Sequence, residues 1–472
     1  MAELRNKYLL KNTLIFTLGN IGSKIISFFL IPLYTNILTT SQYGIVDLIT
    51  TISTVASPML TLNISESVMR FGLDKDSDNE KNIQIGSFIF CISAIIGLIL
   101  IPFCLSLDNI SNYSVYVYFY IFTLSASQLY LCDLRGKEML LLYSIGNIVQ
   151  ALMVAFFNIL FLVVLKLETN GYLLAYIFAN TITATYALIV GKGYKSFRLK
   201  KLDVVKMKDM IRYSAVLIPN TFMWWIMNSS DRVMVTTMIG AAANGIYAVS
   251  YKVPTLISIL SGIFNQAWSY SAIREEGTSD ELKYHNRVFK SLISITMLLG
   301  IGLLTCIKPI LGIYVGFAYY DAWKYTPYLI IGCVYLTLGT FIGTSYTVHK
   351  DSLGFLVSAT FGALVNIVLN YLLIPVGGIY GAAVSTCVSY ILVFIFRLFH
   401  TKKYISYNIK NKEFGFGSLI LLASAMLIFV DNVVGQFLQI SLCITAIIFY
   451  STIWIPVFTK FIFKVHEKWR TR

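Results

Sequence analysis

Apolar runs of about 20 residues, the length of helix that crosses a hydrocarbon core of about 30 Å, follow one another along nearly the whole chain. Hydrophobic residues make up 57% of the chain and charged residues 13%, about half the charge of a soluble domain. We therefore predict an all-α, polytopic membrane protein with about 14 transmembrane helices. The predicted spans lie near 12–38, 43–66, 85–106, 114–133, 141–165, 171–191, 211–239, 245–273, 288–314, 326–348, 352–374, 378–398, 415–431 and 434–463.

Lysine and arginine are distributed unevenly between alternate connections. If the N-terminus is cytoplasmic, 31 of the 37 Lys and Arg residues fall on the cytoplasmic side and only Lys166 and Lys324 fall outside. The other four lie within spans or at their margins: Lys24, Arg232, Lys252 and Lys308. This bias follows the positive-inside rule and predicts cytoplasmic N- and C-termini. The net charge of +14 is then explained by topology and by attraction to anionic membrane lipids. We expect no nucleic-acid partner.

The two halves of the chain repeat one another. Two pairs of matching residues are separated by 201 positions and two by 212: Lys11 with Arg212, Gly44 with Gly245, Ala151 with Ala363, and Asn158 with Asn370. Each half holds an even number of spans, so the halves are expected to be parallel repeats with a central cleft between them. The predicted division is a six-helix lobe at 1–191, a basic cytoplasmic linker at 192–210, a second six-helix lobe at 211–398, and two extra helices with a basic tail at 399–472.

Several spans carry a stripe of polar residues on one helical face. In span one the stripe includes Asn20 and Lys24, and in span eight it includes Asn265 with Lys252 at its edge. The spacing of three and four residues places each stripe on one face. Neutral residues in such a stripe either line a cleft or form hydrogen bonds between helices. We therefore count Asn20 and Asn265 as candidate substrate-binding residues.

Ionised residues inside spans are the stronger candidates. A charge at the centre of a membrane helix costs roughly 2.5–3.5 kcal/mol on insertion scales, so it marks a functional site by default. Lys24 lies at mid-span, and it either contacts the substrate or forms a structural ion pair, with Asp47 as one partner. Lys252 and Arg232, which follows Asp231 near the outer end of span seven, are further candidates to bind the substrate.

Two more charged residues have alternative interpretations. Arg70 follows Glu66 by four residues, so it either pairs with that carboxylate on one helix or reaches the cleft. Asp47 lies on the polar stripe of span two and is the candidate for ion coupling. Alternatively, it caps the start of that span. The chain has no Walker A motif, so ATP-driven transport is not expected.

The sequence contains no motif typical of an enzyme or a metal site. It has no GxSxG or HExxH motif, and its four histidines and seven cysteines lack metal-ligand spacing. We therefore expect no cofactor, no metal and no enzymatic activity. The chemistry that remains is electrostatic binding inside a membrane cleft, with a diphosphate on the cations and sugar hydroxyls on Asn, Ser, Tyr and Trp.

The segment LGNIGSKIISFFLIPLYTNILTTSQYGIVDLITTIS at 18–53 resembles the opening of Wzx-type polysaccharide flippases. The matching parts are GxxxxK ending in Lys24, PLYT at 32–35 and YG at 43–44. Those flippases belong to the multidrug/oligosaccharidyl-lipid/polysaccharide exporter superfamily. The resemblance implies two six-helix lobes, sometimes with two added helices, and cationic residues in the central cavity. Lys24 matches the position of such a residue in the motif.

The resemblance also implies a function. A protein of this kind is a flippase that moves undecaprenyl-diphosphate-linked oligosaccharide repeat units across the bacterial inner membrane by alternating access. The units feed O-antigen (lipopolysaccharide), capsule or related surface polysaccharides. The implied partners are this lipid-linked glycan, membrane lipids, and the polysaccharide polymerase and glycosyltransferases of the pathway.

Two alternatives remain open. A cation-coupled multidrug exporter of the same superfamily would favour an acidic cleft, whereas cations outnumber Asp47 and Asp231 in these spans. A membrane-embedded sugar polymerase or ligase would require a sizeable outer loop with catalytic charge, and the longest outer loop, near 315–325, is short.

Overall fold

Helices account for all regular structure in the part of the chain that is described. The computed structural model describes residues 22–74, 77–99, 101–102, 110–198, 201–409 and 412–470, without the side chains of 267, 270 and 454–470. The all-α prediction is confirmed within these ranges.

The helices divide between two compact units. Each unit is one continuous stretch of the chain, except that a short segment within the second stretch belongs to the first unit. Unit 1 comprises residues 1–248 and 315–319, and unit 2 comprises 249–314 and 320–472. After a helical stretch at 22–29, the helices that begin in unit 1 are α1 (Ile31–Ile37), α2 (Thr40–Leu60), α3 (Ile64–Gly72), α4 (Asn79–Gly97), α5 (Ser114–Gly136), α6 (Leu140–Asn158), α7 (Glu168–Val190), α8 (Val204–Met238) and α9 (Ala241–Ser250). Those of unit 2 are α10 (Thr255–Glu275), α11 (Glu281–Tyr314), α12 (Thr326–Val348), α13 (Ser352–Gly377), α14 (Ile379–His400), α15 (Lys412–Leu427) and α16 (Val433–Arg470).

The chain is a multi-pass membrane protein by the length and composition of its helices. Among the described residues, nine helices are long and apolar enough to cross a membrane, and a tenth span results if α9 and α10 form one broken span. The count of fourteen stays a prediction. The first and third predicted spans extend beyond the described residues. Helix α8 is not among the nine because its charge-free stretch at 213–230 contains polar residues such as Asn220 and Asn228 and is not apolar enough, and α15 has only 16 residues.

Helix α2 begins with a capping box and ends at a proline-induced break. The Thr39 side chain accepts a hydrogen bond from the Gln42 backbone N–H, and the Gln42 side chain accepts one from the Thr39 N–H. These two bonds satisfy N–H groups that would otherwise lack partners. Near the other end, Pro58 lacks an N–H and disfavours continuation of the helix. Leu62 and Asn63 then adopt positive φ values of 52° and 50° before α3 begins.

Helix α8 packs against α2 and α3 within unit 1. The Trp225 indole N–H donates to the Thr51 carbonyl oxygen at 2.9 Å, and the Ser67 hydroxyl donates to the Met210 carbonyl oxygen. Hydrogen bonds of this kind hold membrane helices together where lipid provides no hydrophobic driving force. Helix α8 contains Pro219 in its interior, beside positions that contribute to the site described below.

The same packing pattern occurs in both units. In unit 1, α7 packs against α5 and α6, and in unit 2, α14 packs against α12 and α13. The repeat in the sequence relates these helices, since Ala151 and Asn158 lie on α6 and their counterparts Ala363 and Asn370 lie on α13. Both asparagines are fully buried. The division at 191–211 stays a prediction, while the compact units separate at 248–249.

Unit 2 has its own aromatic core and a capped end. Trp268, Phe289 and Phe341 are buried, and the Phe341 ring stacks on the rings of the other two.

Asp351, which precedes the membrane-spanning helix α13, caps its N-terminus. The pKa of Asp351 is lowered to about 2 because its carboxylate accepts hydrogen bonds from the Gly354 backbone N–H, Lys403 and Tyr404.

Candidate functional site

A polar cavity of about 630 Å³ lies among α2, α3, α5, α6 and α8 of unit 1. This volume is in the range of sites that bind small molecules. Pro58 and Asn63, at the break after α2, line it on one side, and Asn220, next to Pro219, lines it from α8. Each of these two helices thus carries a proline, which lacks a backbone N–H, at or beside the cavity.

Amides and hydroxyls provide most of the polar lining. The amide residues are Asn63, Gln128, Asn147, Gln150 and Asn220, and the hydroxyl residues include Thr54, Ser127 and Thr221. Nδ2 of Asn147 and Oδ1 of Asn220 are buried and make no hydrogen bond within the described protein. A buried polar atom without a partner costs about 1–3 kcal/mol, so a rotation of either amide that brings this atom to a ligand in the cavity would recover free energy.

Glu66 and Arg135 are the two charged residues of the cavity within the described structure. The Arg135 guanidinium lies 5.5 Å from the centre of the Tyr143 ring, a cation–π arrangement. The neighbouring carboxylate of Asp133 forms an ion pair with Lys137. The lining therefore carries one charge of each sign, with no excess of carboxylates.

A second polar group joins α2 to α8. Asp47 and Arg232 form an ion pair at 3.0 Å, with side-chain exposures of 6% and 18%. The amide of Asn244 donates to Asp47 at 3.4 Å and to the Gly44 carbonyl oxygen at 2.9 Å. Asp231, adjacent to Arg232, accepts a hydrogen bond from the Tyr247 hydroxyl.

Three expectations about Asp47 and Arg70 are wrong in detail. Asp47 does not cap α2, because Thr39 and Gln42 do so. Its ion-pair partner is Arg232 and not Lys24. Arg70 pairs with Asp74, one turn later on the chain, and not with Glu66. Sequence spacing could not rank these partners, because Asp47 and Arg232 are 185 positions apart.

The helices of this second group meet at two glycines. A Cβ atom on Gly44 would lie 1.8 Å from the Ala241 carbonyl oxygen, and one on Gly245 would lie 2.0 Å from the Thr40 carbonyl oxygen. Gly44 and Gly245 are partners in the 201-residue repeat, and so are Thr40 and Ala241. Such reciprocal contacts are typical of two copies of one motif around a local two-fold axis.

The other candidate residues that the structure describes are not part of the cavity lining. Lys24 is exposed on the helical stretch at 22–29, and Arg70 is exposed on α3. Asn20 lies outside the described residues. In unit 2, Lys252 is half-buried in the break between α9 and α10. Asn265 donates to Ser261 at 3.2 Å and to Thr340 at 3.0 Å, so it joins α10 to α12. Their roles stay predictions.

The cavity itself was missed in the sequence. A signal was present, because Asn147 and Gln150 are three residues apart on α6, and Ser127, Leu131 and Arg135 follow at steps of four on α5. These spacings put each group on one helical face. The adjoining residues on α3 and α8 are distant in sequence, so the cavity required the tertiary structure.

The fold is similar to that of solved membrane proteins. The lipid II flippase MurJ, in an inward closed conformation, is 14% identical with a TM-score of 0.70, and the match covers 94% of this chain and 100% of that chain. An inward-facing multidrug resistance MATE family transporter of the MOP superfamily is 11% identical with a TM-score of 0.62, covering 87% and 96%. A MOP superfamily transporter from Pyrococcus furiosus, described as having a binding pocket of reverse polarity, is 11% identical with a TM-score of 0.52, covering 88% and 95%. No curated protein matches the chain by sequence.

A family model provides the evidence from sequence. The model described as polysaccharide biosynthesis protein matches residues 9–270, which is more than half of the 472-residue chain. The matched region includes the opening segment at 18–53 and every described residue that lines the cavity. The chain belongs to the polysaccharide biosynthesis protein family.

Proposed function

We propose that this protein is a flippase for lipid-linked oligosaccharides. Its cargo is an undecaprenyl-diphosphate-linked repeat unit, which it moves across the bacterial inner membrane for O-antigen, capsule or a related surface polysaccharide. The observation that carries the proposal is the polar cavity lined by amides and hydroxyls within membrane-spanning helices. Sugar hydroxyls require such partners when they leave water, because a buried polar group without a hydrogen bond is costly.

Family and fold support the same proposal. The family name concerns polysaccharide biosynthesis, and the solved structures with this fold include a flippase of lipid II and transporters of the MOP superfamily. These proteins are named as transporters or flippases, so transport rather than enzymatic catalysis is the activity that fits this chain.

The charge of the cavity favours a sugar over a cationic drug. An organic cation would require an excess of carboxylates, whereas Glu66 is matched by Arg135 in the lining. The multidrug exporter remains the second candidate because the MATE transporters share the fold. Nothing in the described residues favours a sugar polymerase or ligase.

The proposed transport cycle is alternating access. The contact of Gly44 with Gly245 and the Asp47–Arg232 ion pair lie at the predicted outer ends of α2, α8 and α9, and the cavity lies toward the predicted cytoplasmic ends of α3 and α5. The cargo would enter the cavity from the cytoplasmic side and leave when the outer contact opens. Asp47 would link the cycle to an ion gradient, and Lys24 and Lys252 would bind the cargo's diphosphate on its path.

Genetic complementation tests the proposal in cells. Deletion of the gene should stop surface polysaccharide and leave lipid-linked repeat units on the cytoplasmic side, where an added glycosidase reaches them only after the cells are opened. Full-length protein should restore the polysaccharide. Normal polysaccharide in the deletion strain, or repeat units already outside, would contradict a flippase.

A further inference from the structure

We infer that the cavity of unit 1 is a carbohydrate subsite in which Asn147, Gln150 and Asn220 bind sugar hydroxyls and Arg135 binds a phosphate of the lipid diphosphate. The inference rests on the proposed function and identifies the residues and the part of the cargo that they hold. None of the four was a candidate from the sequence.

The amides are suited to sugar hydroxyls by their chemistry and their placement. An amide offers both a donor and an acceptor, as a sugar hydroxyl does. Gln150 is fixed because its Nε2 donates to Oδ1 of Asn180 at 2.7 Å, which leaves its Oε1 as an acceptor. Nδ2 of Asn147 and Oδ1 of Asn220 have no hydrogen-bond partner in the described protein. The cavity thus offers the Oε1 acceptor of Gln150, and rotation of the Asn147 and Asn220 amides toward a ligand would add one donor and one acceptor.

Arg135 is suited to the diphosphate. Its guanidinium lines the cavity and lies over the Tyr143 ring, which restricts the side chain. Guanidinium groups form strong, directional hydrogen bonds with phosphate oxygens.

Glu66 accounts for a preference against a purely anionic ligand. Its carboxylate lines the same cavity and repels a ligand that is anionic throughout, but it accepts hydrogen bonds from sugar hydroxyls. The combination favours a ligand with one anionic end and an uncharged, hydroxyl-rich part. A lipid-linked saccharide has this composition, whereas a phospholipid lacks the sugar and an organic cation lacks the anion.

Binding of two related lipids to the purified full-length protein in nanodiscs tests the inference. The probes are undecaprenyl-diphosphate-N-acetylglucosamine and undecaprenyl diphosphate, which share the lipid and the diphosphate; the second lacks the sugar and carries one more ionisable phosphate oxygen, so each variant is compared with the wild type for each lipid separately. Asn147→Ala and Asn220→Ala should each weaken binding of the sugar-bearing lipid by about two- to tenfold and leave the sugar-free lipid unchanged. Arg135→Gln should weaken both lipids by about ten- to a hundredfold.

Matched variants separate binding from folding. Asn36→Ala removes an exposed amide outside the cavity and should bind both lipids as the wild type does. Arg135→Lys keeps a cation and Asn220→Ser keeps a hydrogen-bonding group at its position, so both should recover part of the affinity, which a merely misfolded variant would not. The unfolding temperature of each variant is measured in parallel.

The outcomes distinguish this site from the proposed function. If the wild type prefers the sugar-bearing lipid but the amide variants bind it unchanged, the sugar lies elsewhere and the inference is wrong while the flippase proposal stands. If Arg135→Gln binds both lipids normally, the assignment of the diphosphate is wrong. If the wild type binds neither lipid, the proposed function falls and the subsite falls with it.

Discussion

Gly44 and Gly245 lie against each other's helices so closely that neither position has room for a side chain. An alanine at position 44 would place its Cβ atom 1.8 Å from a backbone carbonyl oxygen of the facing helix, and an alanine at position 245 would place its Cβ atom 2.0 Å from one. Real Cβ atoms essentially never come within 3.0 Å of a heavy atom outside their own residue and its chain neighbours, so the helices would have to separate.

Gly44→Ala and Gly245→Ala should therefore open this contact. We expect each to lower the thermal unfolding temperature of the purified protein and to expose Asn244 and Asp47 to solvent. Gly302→Ala is the control, because nothing lies within 4 Å of a Cβ atom there and alanine favours a helix over glycine by about 1 kcal/mol. Equal unfolding temperatures for Gly44→Ala and Gly302→Ala would show that the close contact is absent in solution.

The Asp47–Arg232 ion pair gives a second prediction. Asp47→Asn or Arg232→Gln leaves a buried charge without its partner, which typically costs about 3–5 kcal/mol of unfolding free energy. The double variant Asp47→Asn with Arg232→Gln removes both charges and should lose less than the sum of the two single losses. The check is denaturant or thermal unfolding of the four proteins, and additive losses in the double variant would rule out the pairing.

The same residue permits a test of ion coupling. Vesicles containing wild type or Asp47→Asn are compared with and without an imposed proton or sodium gradient. If Asp47 couples the ion, the variant should transport at one rate in both conditions. Equal gradient dependence in the two proteins would leave Asp47 with a structural role, as the partner of Arg232.

Lys24 and Arg70 are predicted to differ. Loss of a charge-assisted hydrogen bond to the diphosphate costs about 1.5–3 kcal/mol, so Lys24→Ala should reduce cargo affinity by about ten- to a hundredfold, and Lys24→Arg less. Arg70→Ala removes an exposed pair with Asp74 and should have little effect, since such pairs contribute about 0–1 kcal/mol. Normal surface polysaccharide with Lys24→Ala at wild-type levels in the membrane would refute the role of Lys24.

Local sequence patterns predict most of the helices and part of the contact between Gly44 and Gly245. The repeat step of 201 already joined Gly44 to Gly245, and hydrophobic run length predicted helices such as α12 and α14 to within a few residues. The capping of α2 by Thr39 and Gln42 depends on residues three positions apart, so the sequence is sufficient to predict it. The alternative that Asp47 caps this helix is the one that the structure contradicts. Local signals therefore established most helices.

Long-range pairing was beyond the sequence. Arg232 approaches Asp47 only because α8 packs against α2, and no periodicity within either helix specifies that contact. The cavity is similar, since Asn147 and Asn220 come from helices that are about 70 residues apart in the chain. A single polar stripe reveals that a helix face is not exposed to lipid, but it does not reveal which other faces it meets.

The most direct test that the protein is a flippase measures the flipping of a lipid-linked saccharide in reconstituted vesicles. Undecaprenyl-diphosphate-N-acetylglucosamine is placed in vesicles with or without the protein, and a membrane-impermeant galactosyltransferase reports the sugars on the outer leaflet. We predict that in wild-type vesicles the enzyme reaches the sugar of the whole lipid pool, while in protein-free vesicles it reaches only the outer half. The double variant Asn147→Ala with Arg135→Gln should flip the lipid slowly. Access limited to the outer half in wild-type vesicles, with and without an ion gradient, would contradict the proposal that the protein is a flippase.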